Sequence, residues 1–196
     1  WMNDALLDRA RAKSITAFLL NTSAEVWLSI DGDIVFDDSA ALELCAQAVT
    51  HDIVAGQYVT RSRHRCFPTS LQEDNVPIEY QNDPTPVPVR WCATGFLAIH
   101  RRVVEKLITR PDVHLCHESE SWKFYDNILT PFSVPGPKDR IYLSEDYYIC
   151  ERAREEGFTC YVNPSIRLLH VGQYAFSLED MLYPPPPQLA MRLTRT

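Results

Sequence analysis

The chain has 196 residues, 45% of them hydrophobic, and a formal net charge of −7. That size and apolar content suit one sizeable domain with its own core and argue against a second full domain. The acidic balance, with no basic run, excludes a general nucleic-acid binder, and no apolar segment approaches the ~20 residues that a membrane-spanning helix needs.

No signal-peptide pattern opens the sequence, which begins at Trp1 rather than Met and so leaves room for a missing N-terminal piece. Residues 4–20 are expected to form a helix opening near Asn3 or Asp4. At helical spacing Leu7, Ala12, Ile15, Phe18 and Leu19 share an apolar arc, and Arg11 falls in that arc whereas Arg9 and Lys13 do not. An inward Arg11 has two readings: a pair with Asp8, or an anchor for an anion such as a diphosphate. Residues 26–30 form a continuous apolar run, the pattern of a strand buried on both faces. The run ends in Asp31-Gly32-Asp33, and this concentrated charge must be compensated by water, a basic neighbour or a metal ion. Asp38 or Ser39 can cap a helix reaching about Val49, and "DIVAGQYV" is the next strand.

From Arg61 to Pro88 the pattern dissolves into polar residues and prolines, as in a long surface loop, and residues 110–140 are irregular again. Between them "VRWCATGFLAIHRRVVEKL" gives a strand, a break at Thr94-Gly95, a strand and a short helix. Gly95 marks either a bulge or a point where a ligand ring passes close to the backbone. "YLSEDYYICERAREEGF" gives a strand end and a helix stopped at Gly157, with Ser144 as N-cap. "TCYVNPSIRLLHVG" gives two short strands around Asn163-Pro164. Residues 1–183 are taken as a single domain, followed by a Pro-rich tail over 184–196. Alternating helices and strands predict an α/β layered domain with a mostly parallel sheet. The six cysteines are scattered, without a Cys-x-x-Cys pair, and several sit in apolar segments. A reducing, cytoplasmic compartment is expected rather than a disulfide framework.

Three carboxylates and a histidine carry the chemistry. In an open α/β sheet ligands gather beyond the carboxyl ends of strands, where Asp31 and Asp33 fall, and their hard oxygens suit Mg²⁺ or Mn²⁺. The spacing fails as an EF-hand, because Val35 occupies the third ligand position. Glu145 is explained by compensation of a helix dipole. Asp146 shares the sheet-facing side of its helix with Ile149, Cys150 and Ala153, so its carboxyl should be partly desolvated with a raised pKa, as a general base requires. His170, followed by Val171-Gly172, is a candidate ligand for the ion held by Asp33.

Together "VWLSIDGDIVF", "CATGFLAIHRRVVEKL", "YLSEDYYICERAREEGF" and "IRLLHVGQYAF" resemble, in this order, the GT-A-fold glycosyltransferases of the broad family 2 type. The resemblance spans residues 4–176 and implies a Rossmann-like GT-A domain, a UDP- or GDP-sugar donor, a carbohydrate or other hydroxyl acceptor, and Mn²⁺ or Mg²⁺. It assigns Asp33 and His170 to the metal, Asp31 to the ribose or a metal-bound water, Gly95 to the donor sugar and Asp146, with Glu145 beside it, to the base. The family's first strand–helix–strand unit has no counterpart before Asn3, so a domain truncated at the N-terminus is expected. Two rivals remain at this level: a nucleotidyltransferase, for which the basic Gly-rich phosphate loop is missing, and a non-catalytic metal-stabilised binding module. A zinc site from His114, Cys116, His117 and Cys66 lacks ligand spacing.

Overall fold

The structure, a computed structural model, describes residues 6–61, 66–70, 83–119, 122–130, 132–136, 138–172 and 175–177. In chain order the elements are α1 (Leu7–Asn21), β1 (Val26–Ile30), β2 (Ile34–Val35), α2 (Asp38–His51), β3 (Ile53–Gln57), β4 (Thr69–Ser70), β5 (Val87–Val89), β6 (Trp91–Cys92) and β7 (Phe96–His100). They continue with α3 (Arg101–Leu107), β8 (Leu115–Ser119), β9 (Trp122–Tyr125), β10 (Phe132–Pro135), β11 (Arg140–Leu143), α4 (Glu145–Glu155), β12 (Cys160–Arg167), β13 (Leu169–Val171) and β14 (Ala175–Phe176). The proline tail and most of the expected 61–88 loop lie outside the described residues. No helix among the described residues is long and apolar enough to cross a membrane.

A five-stranded sheet in the order β1-β7-β3-β12-β5 forms the middle layer. The side-chain alternation of its strands sorts the core onto two faces. Ile53, Ala55, Leu97 and Ile99 join Ile15 and Phe18 of α1, Val103 and Leu107 of α3, and Ile149 and Ala153 of α4. Val54, Phe96 and Ala98 face the other way and meet Ala40, Leu44 and Ala48 of α2. The chain is thus an α/β sandwich, as its alternating pattern predicts.

The sheet is not mostly parallel. Only one pair of neighbours, β3 and β12, is parallel; β7 is antiparallel to both β1 and β3, and β5 is antiparallel to β12. Apolar runs in β3 and β7 report burial on both faces, and a strand sandwiched between helices looks the same whichever way its neighbours run. β1 corrects a second expectation. It is an edge strand with only Trp27 and Ser29 buried and Ile30 exposed, because β7 pairs with it on one side alone.

Local differences have equally specific causes. The N-cap of α2 is Asp37, whose carboxylate accepts from the Ser39 N–H at 2.9 Å, rather than Asp38 or Ser39. Residues 110–140, expected to be irregular, contain the β8–β9 and β10–β11 hairpins. β9 is tied to α1, the Tyr125 N–H donating to Thr16 Oγ1 at 2.9 Å. Pro164 does not separate two strands but lies inside β12, at a register shift where the missing N–H removes no ladder bond. The carbonyls at the end of α1 are collected by Arg101, which donates to Phe18, Leu19, Thr22 and Ala24 and offsets the negative helix terminus.

Gly56 in β3 is a test of this packing. A Cβ there would lie 2.8 Å from Phe96 Cδ1, 3.0 Å from Leu168 Cδ1 and 3.1 Å from Ile166 Cγ2, all buried groups with no room to retreat. Gly56→Ala is expected to destabilise the fold by ~1–3 kcal/mol through overpacking, as measured by urea unfolding; a neutral result would mean that β3 and β12 pack more loosely than described.

Candidate functional site

Beyond Ile30 the chain turns through Asp31-Gly32-Asp33 into β2. The Ile34 N–H donates to the Asp31 carbonyl at 3.0 Å, and the Asp31 N–H donates to the Gly95 carbonyl at 2.9 Å. β2 then pairs antiparallel with β13, setting His170 opposite Ile34, and the Val171 N–H donates to the Asp33 carbonyl at 2.7 Å. Backbone pairing therefore joins the acidic turn to a histidine far along the chain. His170 Nδ1 lies 2.9 Å from the Val59 carbonyl, which can only accept, so Nδ1 carries the proton. Nε2 is turned to Asp33 Oδ2 at 3.5 Å. A histidine oriented through its other nitrogen in this way is the usual arrangement of a metal ligand.

Asp31 is engaged elsewhere. The buried Arg11 of α1 donates from Nη2 to Asp31 Oδ1 at 2.6 Å and from Nη1 to Glu145 Oε1. Of the two sequence readings of Arg11, the pair with Asp8 does not form: the guanidinium joins carboxylates from β1 and α4 that meet only in the folded chain. Arg61 in turn reaches Asp33 Oδ2 at 3.0 Å and the Val171 carbonyl at 3.1 Å. Among the described residues no third carboxylate, histidine or thiol stands close enough to Asp33 and His170 to complete a three-ligand set. Asp31 is held by Arg11 and stands outside the Asp33–His170 pair.

At the start of α4 burial pushes the Asp146 carboxyl above the ordinary aspartate range, and burial, then the neighbouring Asp146, does the same for Glu145. Ser144 occupies the N-cap position, but its hydroxyl donates to Asp146 Oδ1 instead of accepting from the helix, and the Tyr147 N–H donates to the same oxygen at 2.8 Å. Both bonds favour the charged form and temper the effect of burial.

Tyr58, immediately after β3, escaped the sequence analysis. Its hydroxyl sits against Gly95, where a Cβ would lie 2.7 Å from Tyr58 Cζ, and its ring meets His170 edge-on with centroids 5.1 Å apart. Burial first, then the charges of Asp31 and Asp146, hold its pKa far above that of free tyrosine, so it remains a hydrogen-bond donor. The place a Gly95 side chain would take is therefore filled by Tyr58. Thr94 is 1% exposed, which keeps its side chain from a ligand arriving through solvent, and its Oγ1 has no partner among the described residues. The signal that could have revealed Tyr58 was Gly95 itself, since a glycine inside a buried strand pattern marks a close approach.

The alternative zinc set does not assemble. Cys116 Sγ lies 3.4 Å from Asp126 Oδ2 and His114 Nδ1 lies 3.5 Å from Asp126 Oδ1, whereas Cys66 lies beside Thr60.

Two measurements test this geometry. Arg11→Ala strands Asp31 and Glu145 together and is expected to cost about 2–4 kcal/mol in urea unfolding. That is below the ~3–5 kcal/mol of a fully buried pair, because the Asp31 side chain stays 35% exposed. A loss under ~0.5 kcal/mol, the usual size of a surface substitution, would mean that the tie contributes nothing. Asp146→Asn keeps both hydrogen-bond donors satisfied while removing the charge. Because the folded pKa is raised, the stability this carboxyl contributes is present at low pH and lost as pH rises through that value. The variant should therefore melt above the wild type at neutral pH, and the gap should close as pH falls below ~4. A gap independent of pH would contradict the burial of Asp146.

No family model matches the chain, and no curated protein matches it. Nine chains of solved structures do. One, described as "Crystal Structure of A197 from STIV", superposes with a TM-score of 0.54 at 16% identity, covering 86% of this chain and 69% of that one. At that identity the similarity concerns the fold, and it supports the mixed α/β architecture.

Proposed function

We propose that the chain is a metal-dependent glycosyltransferase of the GT-A type, moving a sugar from a UDP- or GDP-sugar to an acceptor hydroxyl with inversion. The observation that carries this proposal is that the Asp33–His170 pair, with its oriented Nε2, and the desolvated Asp146 carboxyl both neighbour Tyr58, whose ring meets His170 and whose hydroxyl feels the charge of Asp146. A carboxylate oxygen and an imidazole nitrogen form a donor pair that Mn²⁺ accepts, and Mg²⁺ would lean more on the oxygen and on water. Asp33 and His170 would hold such an ion, which when bound would supply positive charge to a leaving diphosphate.

The remaining work falls to the chain's own groups. Ser144 and Tyr147 both donate to Oδ1 of Asp146, which fixes the carboxylate and leaves Oδ2 to take the acceptor proton. Arg11 holds Glu145, and with it the first turn of α4, against the end of β1, so its role is positioning. Arg61 is half-exposed and shares Asp33, and it offers a second cation to a diphosphate.

The same ion pairs favour a second reading. Arg11 and Arg61 already compensate the acidic groups, as they would in a non-catalytic module that binds a carbohydrate or nucleotide and needs no metal.

Release of nucleoside diphosphate from UDP- and GDP-sugars, with and without Mn²⁺, separates the two. The enzyme should release diphosphate from one donor only with the ion present. Asp33→Ala and His170→Ala should weaken Mn²⁺-dependent donor binding, while Asp146→Asn should bind donor and lose about 10²–10⁴-fold in turnover. Ion-independent binding without turnover would establish the module, and normal transfer by Asp146→Asn would remove Asp146 as the base.

A further inference from the structure

Three separate elements each bring one thiol to a single point in the core: Cys92 from β6, Cys150 from the middle of α4 and Cys160 from the start of β12. All three residues are 0% exposed, and their sulfurs lie within 4.8 Å of one another. Cys92 and Cys150 Sγ are 3.8 Å apart, and the Cys150 thiol faces the Cys92 carbonyl at 3.5 Å. The other cysteines, Cys45, Cys66 and Cys116, are not buried and stand apart from this cluster.

The spacing has a chemical meaning. Metal–thiolate bonds of ~2.3 Å set sulfurs about 3.8 Å apart in a tetrahedral shell and about 4.0 Å apart in a trigonal one. A disulfide would need ~2.05 Å. An all-sulfur donor set selects thiophilic ions and discriminates against Mn²⁺ and Mg²⁺, so it is chemically distinct from the Asp33–His170 pair. Complete burial leaves the Cys92 carbonyl as the nearby oxygen donor rather than bulk water. Three coordination suits Cu(I), whereas structural Zn²⁺ sites take four ligands.

We propose that Cys92, Cys150 and Cys160 form a three-thiolate site for a closed-shell thiophilic cation, Cu(I) in preference to Zn²⁺, which ties α4 to β6 and β12. Coordination forms three metal–sulfur bonds, and the thiol protons leave to solvent without change of oxidation state. Cys150 stands one helical turn beyond Asp146, so the clamp would fix the helix that carries the site's carboxyls. The inference rests on the thiols alone and holds whether or not the chain transfers sugars.

The test uses the full chain carrying Cys45→Ser, Cys66→Ser and Cys116→Ser, reduced and kept anaerobic. Cu(I) and Zn²⁺ are titrated separately against chromophoric competitors, with Mn²⁺ as control. Uptake of one Cu(I) per chain with sub-micromolar affinity, thiolate charge-transfer absorption and a raised melting temperature is expected. Adding Cys150→Ala should abolish all three. If that variant fails to fold, Cys160→Val, a conservative change in volume checked by circular dichroism, gives the same reading. Failure of the triple-serine chain to bind Cu(I), or persistent binding after Cys160→Val, would overturn the site. Uptake of Zn²⁺ with rejection of Cu(I) would overturn the three-coordinate assignment.

Discussion

The Arg11 guanidinium between Asp31 and Glu145 is the contact on which the candidate site depends. It joins α1, the end of β1 and the first turn of α4, three elements that are remote in sequence and otherwise packed mainly through apolar side chains. Burying an arginine is costly unless it is paired, and two carboxylates meet that requirement from different sides. The tie also changes what the acidic turn needs. Asp31 is neutralised from within, Asp33 is shared by Arg61 and His170, and a cation becomes an addition to a partly compensated cluster rather than its sole support. A metal arriving at Asp33 would compete with Arg61, whose exposed side chain can swing away at little cost.

Around that tie, the site is assembled from strand ends. β2 pairs with β13, so the turn carrying Asp33 and the strand carrying His170 move as one unit, and the Val59 carbonyl fixes which imidazole nitrogen faces the carboxylate. Tyr58 completes the layer beneath, its hydroxyl filling the space left by the missing side chain of Gly95. Burial supplies the remaining element, raising Asp146 while Ser144 and Tyr147 hold one of its oxygens. Conformational precision and altered acidity thus arise from the same packing.

Much of this was legible in the chain. Periodicity located α1, α2, α4 and the strands β1, β3 and β7, because burial of one helix face or of a whole strand leaves a local pattern of apolar residues. The inward position of Arg11 and the desolvation of Asp146 followed from the same projection, since each shares a helix face with residues that must be buried. The hairpins over residues 115–143 were not legible, because short exposed strands are stabilised by cross-strand pairing and by contacts such as Tyr125 with Thr16.

By itself the sequence determined the α/β alternation, the acidic turn after β1 and the set of groups available for chemistry. Those are properties of residue type and short-range spacing. Only the tertiary structure decided that β7 runs antiparallel between β1 and β3, that Arg11 meets Asp31 and Glu145, that Tyr58 covers Gly95, and that three of six dispersed cysteines converge. Each of these joins residues from different elements. Strand direction and side-chain partnership are fixed by how whole layers pack, and local periodicity carries no record of which distant element lies opposite.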